Sequence, residues 1–359
     1  MKNCFFPISV FLVAAALFVS CKIDETPFPS DDGEGFLTVS VKPSVNEEVT
    51  KAVTAYTTEQ TYESQINTIQ VLVFDTSSGL IAAYKNFGTS KTGTISTTSG
   101  GKTVWAVVNG PDLSNIGSLT VLQNTPFDLS ANSTTASAGF VMAGSNTCTV
   151  SAGASAPCTI SVSRFAARVA LVSVTNAVPS SMGHLTVEKI FLSNVVGNQN
   201  LAGDATPTIW YNKQGRKDET TRSADHIING TGYKASCESL TYKDVNPTIV
   251  DNGATHTPAT PYLFYTYPNS STTAPAGFTS TFNGERTVLT VLARVNGTDY
   301  YYPVVLDDAV IERNTAYTVG LTITGLGSTD PDTPVAKGSI SATISVSGWT
   351  AGAVYNEEL

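Results

Sequence analysis

The side chains that could do chemistry in this sequence are few and far apart. Three histidines, His184, His226 and His256, lie in turn-like surroundings, and none is at metal-ligand spacing from another histidine or a cysteine. There is no G-x-S-x-G, H-E-x-x-H or Walker A motif, and no G-x-G-x-x-G follows a strand. We therefore predict a protein that is not an enzyme and that needs no metal or cofactor.

The five cysteines are the other reactive side chains, and one of them ends an export signal. Residues 1–20 carry one early basic residue, Lys2, and then a long apolar run that ends at a small residue before Cys21. This pattern is typical of a signal peptide and is too short for a membrane span. The letters FVSC resemble a bacterial lipobox. We predict that residues 1–20 are removed and that Cys21 carries lipid, with residues 21–35 as a flexible tether.

Two further cysteines flank a turn. Cys148 and Cys158 lie symmetrically about SAGASA, so a hairpin would bring them opposite each other. In an oxidising compartment they would form a disulfide, and the alternative is a pair of half-buried thiols. Cys4 leaves with the signal peptide, and Cys237 is left over.

Charge and hydropathy exclude several classes of partner. The formal net charge is −9 and there is no basic run, so we predict no binding to nucleic acid. No segment after the signal peptide approaches the ~20 apolar residues that span a bilayer. Lipid on Cys21 would then be the membrane anchor.

Almost every periodic segment indicates a strand, rich in Val, Ile, Thr and Tyr and bounded by Ser, Thr, Asn and Gly. The pattern predicts an all-β chain with two antiparallel β-sandwiches. A turn-rich break, TNAVPSSMGH, suggests domains at 36–176 and 177–338, followed by a terminal strand segment at 339–359.

The first and last strands carry the same alternation. In the first strand, residues 36–42, Leu37, Val39 and Val41 alternate with polar residues. In the last, the apolar positions are Ile340, Ala342, Ile344 and Val346. A period of two marks a strand with one buried face, so one groove could accept either strand. The last strand follows a loose Gly/Pro/Asp leader and has no hairpin partner in the sequence.

Several segments in order resemble the Bacteroidales fimbrillins, the FimA/Mfa-type subunits of type V pili. The resemblance lies in INTIQVLVFDTSSG, KTVWAVVNGP, FVMAG with CTISVSRFAARVALVSV, IERNTAYTVGLTITGLGSTDPDTP and ISVSGW. It implies transthyretin- or immunoglobulin-like sandwiches and a structural role in a surface fimbria that supports adhesion. It also implies an outer-membrane lipoprotein precursor, and partners that are other copies of the chain and other fimbrial subunits.

The resemblance further implies a route of assembly. A trypsin-like surface protease removes the first strand, and the C-terminal strand of a neighbouring subunit fills the vacated groove. Between Phe36 and Tyr84 the only basic residues are Lys42 and Lys51. We therefore expect cleavage between Lys51 and Ala52, where family members usually present Arg.

Three alternatives stay open. The last strand could fold back onto its own second domain. The chain could be a tip or anchor subunit of the same pilus, although an anchor would typically lack a donor strand. Finally, the tyrosines of PYLFYTYP and DYYYPVV could form an aromatic platform on a glycan-binding surface lipoprotein.

Overall fold

The structure is a computed structural model, and it describes most of the chain after residue 32. The described residues are 33–44, 55–135, 139–212, 237–270, 286–306, 310–329 and 339–349. Strands dominate this part of the chain, which confirms the predicted all-β class. Among the same residues, no helix is both long and apolar enough to cross a bilayer.

The N-terminal domain is a seven-stranded sheet in the order β3-β2-β5-β7-β8-β1-β4. Its elements, with a short strand and a helix beside the sheet, are β1 (Glu34–Pro43), β2 (Ile69–Asp75), β3 (Ile81–Gly88), β4 (Thr92–Thr98), β5 (Gly100–Val108), α1 (Leu119–Asn124), β6 (Pro126–Asp128), β7 (Met142–Val150) and β8 (Ser155–Arg164). Single turns of 3-10 helix lie at Thr61–Glu63 and Leu129–Ala131.

The C-terminal domain has two larger sheets. One is β14-β10-β17-β18, and in the other β9 lies between β19 and the pair β15 and β16, with β20 outside β19. The bounds are β9 (Ala167–Asn176), β10 (Leu185–Ser193), β11 (Val195–Val196), β12 (Asn198–Asn200), β13 (Trp210–Tyr211), α2 (Glu238–Thr241), β14 (Tyr242–Val250), β15 (Thr255–His256), β16 (Tyr262–Thr266), β17 (Val288–Val295), β18 (Thr298–Val305), β19 (Thr315–Ile323) and β20 (Ile340–Gly348). A 3-10 turn lies at Ser180–Met182.

Two hydrophobic cores explain why β2 is apolar on both faces. Ile69, Val71 and Val73 join a core inside the N-terminal sheet, to which β1, β4, β5, β7 and β8 also contribute. Leu72 and Phe74 face the opposite way, into a larger core that continues through the C-terminal domain. A strand buried on both faces is a continuous apolar run rather than an alternation.

Two strand pairs differ from the purely antiparallel pairing of the prediction. β1 pairs with β8 in parallel, and β9 pairs with β19 in parallel. In both pairs the strands are far apart in the sequence, so no hairpin imposes an antiparallel direction.

β9 lies within the predicted N-terminal domain, 36–176, but belongs to a different sheet from β1–β5, β7 and β8. β9 pairs with β16 and β19 of the C-terminal domain, not with any N-terminal strand. The change of sheet falls between Phe165, whose N–H donates to the carbonyl of Val141, and Ala166, whose carbonyl accepts from Asn314. Because the chain turns there without glycine or proline, the sequence offered no signal for the break.

Candidate assembly site at the first and last strands

β1 is an internal strand of the N-terminal sheet. It pairs in parallel with β8 over eight residue pairs, from Phe36↔Ser155 to Pro43↔Val162. On its other side it pairs antiparallel with β4, from Glu34↔Thr98 to Ser40↔Thr92. Both edges of its backbone are therefore engaged along most of its length.

The inward face of β1 is fully buried. Leu37 and Val39 are 0% exposed and Val41 is 3% exposed, whereas Thr38 between them is exposed. The three side chains pack in the N-terminal core with residues such as Ile95 and Ile160. Burying an aliphatic side chain of this size contributes about 1.5–3 kcal/mol. Loss of β1 would thus open an apolar groove between β8 and β4.

The chain is fastened again soon after β1, at residues 55–63. The N–H of Tyr56 donates to Oγ1 of Thr318 (2.9 Å), and its carbonyl accepts from the guanidinium of Arg168 (2.5 Å). The carbonyl of Thr58 accepts a second bond from Arg168 (3.1 Å). This segment is therefore held by the C-terminal domain independently of β1.

Two buried ion pairs complete this anchor. Glu63 accepts from Arg168 (3.0 Å) and from the hydroxyl of Tyr265 (2.6 Å), and Glu59 pairs with Arg164. Burial lowers the pKa of Arg164, and the two carboxylates oppose that shift. Burial, followed by the charge of Glu63, raises the pKa of Tyr265 well above its usual range. Removing one partner of such a buried pair costs ~3–5 kcal/mol, so residues 55–63 are firmly attached.

The last strand has a partner within the same subunit. β20 pairs antiparallel with β19 over nine residue pairs, from Thr315↔Gly348 to Ile323↔Ile340, and forms the edge of that sheet. The expectation that this strand lacks a partner in its own fold is therefore wrong for this structure. The alternative, a strand folded back onto its own second domain, describes it.

At its C-terminal end β20 buries side chains of its serine face, whereas Ser341 and Thr343, earlier on that face, are exposed. Ser345 and Ser347 are only 1% and 4% exposed. Ile340 and Ile344 are half-buried at the margin of the core, and Ala342 is exposed. Val346 pairs with Tyr317 across the strands. None of the three predicted apolar positions whose side chains are described is fully buried in this sheet, and the adjoining residue Trp349 extends the face of Ser345 and Ser347 into the core.

Trp349 is a functional candidate that the sequence did not single out. It is 1% exposed, and its ring lies against Tyr265 (5.6 Å between centroids) and Phe140 (5.7 Å). The guanidinium groups of Arg164 and Arg168 lie 4.5 Å and 5.3 Å from its ring centre. The only available signal was a tryptophan directly after an alternating strand.

The ends of β1 and β20 meet at one residue, Asn314. Its carbonyl accepts from the N–H of Trp349 (2.8 Å), and its amide contacts the hydroxyl of Ser44 just after β1 (3.5 Å). Its side-chain oxygen also accepts from the N–H of Arg164 (3.4 Å). Asn314 has a φ of 53°, a left-handed conformation that asparagine tolerates better than most residues.

The remaining predicted site residues fall into two groups. A disulfide joins Cys148 and Cys158, with 6.0 Å between their Cα atoms, next to β1. Cys21, Lys51 and Ala52 lie outside the described residues.

The structure does not favour the aromatic glycan-binding platform that the sequence left open. Most tyrosines of the candidate glycan platform are in the interior, with Tyr265, Tyr267 and Tyr302 at 0% exposure. Within the described ranges, no three His, Cys, Asp or Glu side chains cluster as metal ligands would. His184 is exposed and His256 is half-buried.

Comparisons with known proteins agree with this architecture. Residues 36–181 match the family model of the major fimbrial subunit protein (FimA). A search of curated proteins gives no match.

Solved structures share the fold over most of the chain. A fimbrilin (FimA) from Porphyromonas gingivalis superposes with a TM-score of 0.56 at 14% identity, covering 88% of this chain and 98% of that one. The tip fimbrial protein Mfa3 of the same organism, with a C-terminal truncation, gives 0.52 at 15% identity and covers 88% and 100%. A Bacteroides eggerthii protein provisionally assigned to cell adhesion gives 0.62 at 20% identity and covers 89% and 97%. Residues 36–181 are thus similar to the FimA major fimbrial subunit family, in agreement with the resemblance that the sequence indicates.

Proposed function

We propose that this chain is a structural subunit of a surface fimbria that supports adhesion and polymerises by strand exchange after β1 has been removed. The observation that carries the proposal is a mismatch between the two terminal strands. β1 occupies an internal slot with a dry apolar face, whereas β20 has the same alternation but occupies an edge where that face is half-exposed.

The slot of β1 is a better site for the β20 sequence than its own sheet. In its own sheet β20 pairs with β19 alone, whereas the slot offers ladders to both β8 and β4. Each additional backbone hydrogen bond contributes about 0.5–1.5 kcal/mol net. Full burial of Ile340 and Ile344 adds to this, and withdrawal of Trp349 from its own core opposes it. The exchange is favourable when the slot is empty.

Removal of β1 requires a cut in the chain, because a strand in the same polypeptide competes at high effective concentration. We place the cut between Lys51 and Ala52, by a trypsin-like protease at the cell surface. The new N-terminus would lie three residues before residue 55, where the anchored segment 55–63 begins. The cut subunit would keep its ion pairs while β1 is free to leave.

The same cut would release the subunit from the membrane. In this scheme the precursor is exported as an outer-membrane lipoprotein held by lipid on Cys21, and Cys21 lies on the removed side of the cut. Its partners in the fibre are other copies of this chain and other fimbrial subunits, each donating β20 to the groove of the next.

The test is the N-terminus of the assembled subunit. Electron microscopy should show fibres on cells that carry the gene and none on cells that lack it. N-terminal sequencing of the purified fibres should then give subunits that begin at Ala52. Fibres whose subunits begin at Cys21 would show that β1 is retained and would overturn strand exchange. A matched pair of variants, Lys51→Gln and Lys42→Gln, separates the proposed cleavage site from the other nearby lysine.

A further inference from the structure

β8 depends on β1 for most of its backbone pairing. It is registered against β1 over eight residue pairs, but against β7 over only two, Met142↔Arg164 and Ala143↔Ser163. Both strands are fully described, so this asymmetry belongs to the sheet itself. When β1 leaves, residues 155–162 of β8 lose the ladder that aligns them.

Past Ala143, other contacts replace the ladder between β7 and β8. At Gly144 the strands press so closely that an added Cβ would lie 1.9 Å from the carbonyl oxygen of Ser161. Further along, the amide of Asn146 donates to the carbonyl of Thr159 (2.8 Å). The disulfide between Cys148 and Cys158 follows, and it is the one covalent link between the two strands in the described chain.

The disulfide lies in the wall of the groove. Cys158 is directly opposite Val39 of β1 and is 2% exposed, within the core that Leu37, Val39 and Val41 complete. A groove accepts a strand only if its two walls stay about 9.5 Å apart, twice the spacing of neighbouring strands. A wall that has lost its ladder could instead close the gap or pair wrongly.

We propose that the Cys148–Cys158 disulfide positions β8 as a wall of the acceptor groove in the interval between loss of β1 and arrival of the donor strand. The bond ties β8 to β7, which remains in the sheet through β5. This inference rests on the strand exchange proposed above. It assigns the disulfide a role in the cut subunit beyond its contribution to the intact precursor.

The experiment uses the full chain with a site-specific protease sequence in place of residues 45–51. A double variant, Cys148→Ala with Cys158→Val, removes the link but keeps an apolar side chain at the groove, and Cys237→Ala controls for loss of a buried cysteine. Amide exchange of residues 155–162 and fibre yield are measured before and after cutting.

Before the cut, β8 should be protected in all three proteins. After it, we expect the double variant to exchange at least about tenfold faster over residues 155–162 than wild type, with at least about a tenfold loss of fibre yield. Equal protection and equal yield in the cut double variant would overturn the proposal.

Two further arms keep the outcomes distinct. If the double variant fails to fold, wild-type subunits are instead reduced with a thiol after cutting. We expect the same loss of amide protection over residues 155–162. Unchanged protection would overturn the proposal. If cut wild-type subunits do not polymerise at all, strand exchange fails, while the exchange rates still decide whether the disulfide positions β8.

Discussion

Arg164, the last residue of β8, places its guanidinium 4.5 Å from the ring centre of Trp349, which follows β20 and lies 185 residues further along the chain. Trp349 is therefore bound at the junction of the two domains, beside residues 55–63. As a result, this tryptophan contributes to the hydrophobic core of its own chain.

Trp349→Ala should destabilise the subunit by ~3–5 kcal/mol, because it leaves a large cavity and removes a ring from two buried guanidinium groups. The measurement is urea or thermal unfolding of the full chain. Trp349→Phe is the matched control and should lose less. Unchanged unfolding of the alanine variant would contradict the anchoring role. For the same reason, truncation after Gly338 would damage the subunit and cannot test donation cleanly.

Ile344→Asp tests donation without this complication, since Ile344 is only half-buried in its own sheet. We expect a near-normal subunit that forms no fibres, because a carboxylate in a dry groove costs several kcal/mol. Thr343→Asp is the matched control, as Thr343 is exposed here and would point away from the groove. Fibre yield by electron microscopy is compared between the two. Normal fibres from Ile344→Asp would refute the donor role of β20.

Leu37→Ala should lower the stability of the precursor but leave the stability of the fibre unchanged. Leu37 is 0% exposed, so the substitution should destabilise the precursor by ~2–5 kcal/mol. If β1 is absent from assembled subunits, fibres made from this variant should melt like wild type. Thr38→Ala, on the exposed face of β1, is the control for the strand itself. Fibres that melt earlier in the Leu37 variant would indicate that β1 stays in place.

Cys21→Ala should abolish lipid labelling and membrane retention of the precursor, because we propose that the lipid is attached through this sulfur. Cys4→Ala, within the predicted signal peptide, should leave both unchanged. The measurement is incorporation of a labelled fatty acid, followed by fractionation of the cells. Persistent labelling of the Cys21 variant would contradict the lipidation of Cys21 and, with it, the proposed export as a lipoprotein.

The environment of Asp75 predicts that the N-terminal domain loses stability in acid. Hydrogen bonds from Ser77 and Ser78 and the ammonium group of the buried Lys102 lower the pKa of Asp75 well below its usual range. A pKa lowered on folding stabilises the protein above the unfolded value of about 4, and this contribution is lost as the pH falls further.

Asp75→Asn should therefore lower the melting temperature at pH 7, where Lys102 loses its charged partner, and the difference from wild type should shrink below about pH 4. Glu34→Gln, at an exposed position in β1, is the control. A difference that stays constant from pH 7 to pH 3 would show that the carboxylate does not stabilise the domain through its charge.

The sequence by itself determined the class of the fold and the inward face of the first strand. Alternation over residues 36–42 is a local pattern. When a strand has a core on one side only, this pattern fixes which face of the strand is buried. The alternation in β20 allowed either face of the strand to be buried, because Ile340 and Ile344 favour one face while Trp349 favours the other. Only the tertiary structure decided between them, since the pocket for Trp349 is built from Arg164, Arg168 and Tyr265.

The tertiary structure also decided the domain boundary and the anchor after β1. Only two residues separate β8 from β9, and their assignment to different sheets depends on partners more than 100 residues away, such as β1 and β19. Likewise, Glu63 and Arg168 are ordinary charges in the sequence until folding brings them to 3.0 Å in a buried site. Local patterns specify which residues form strands, whereas pairing partners and buried charges follow from contacts that only the folded chain makes.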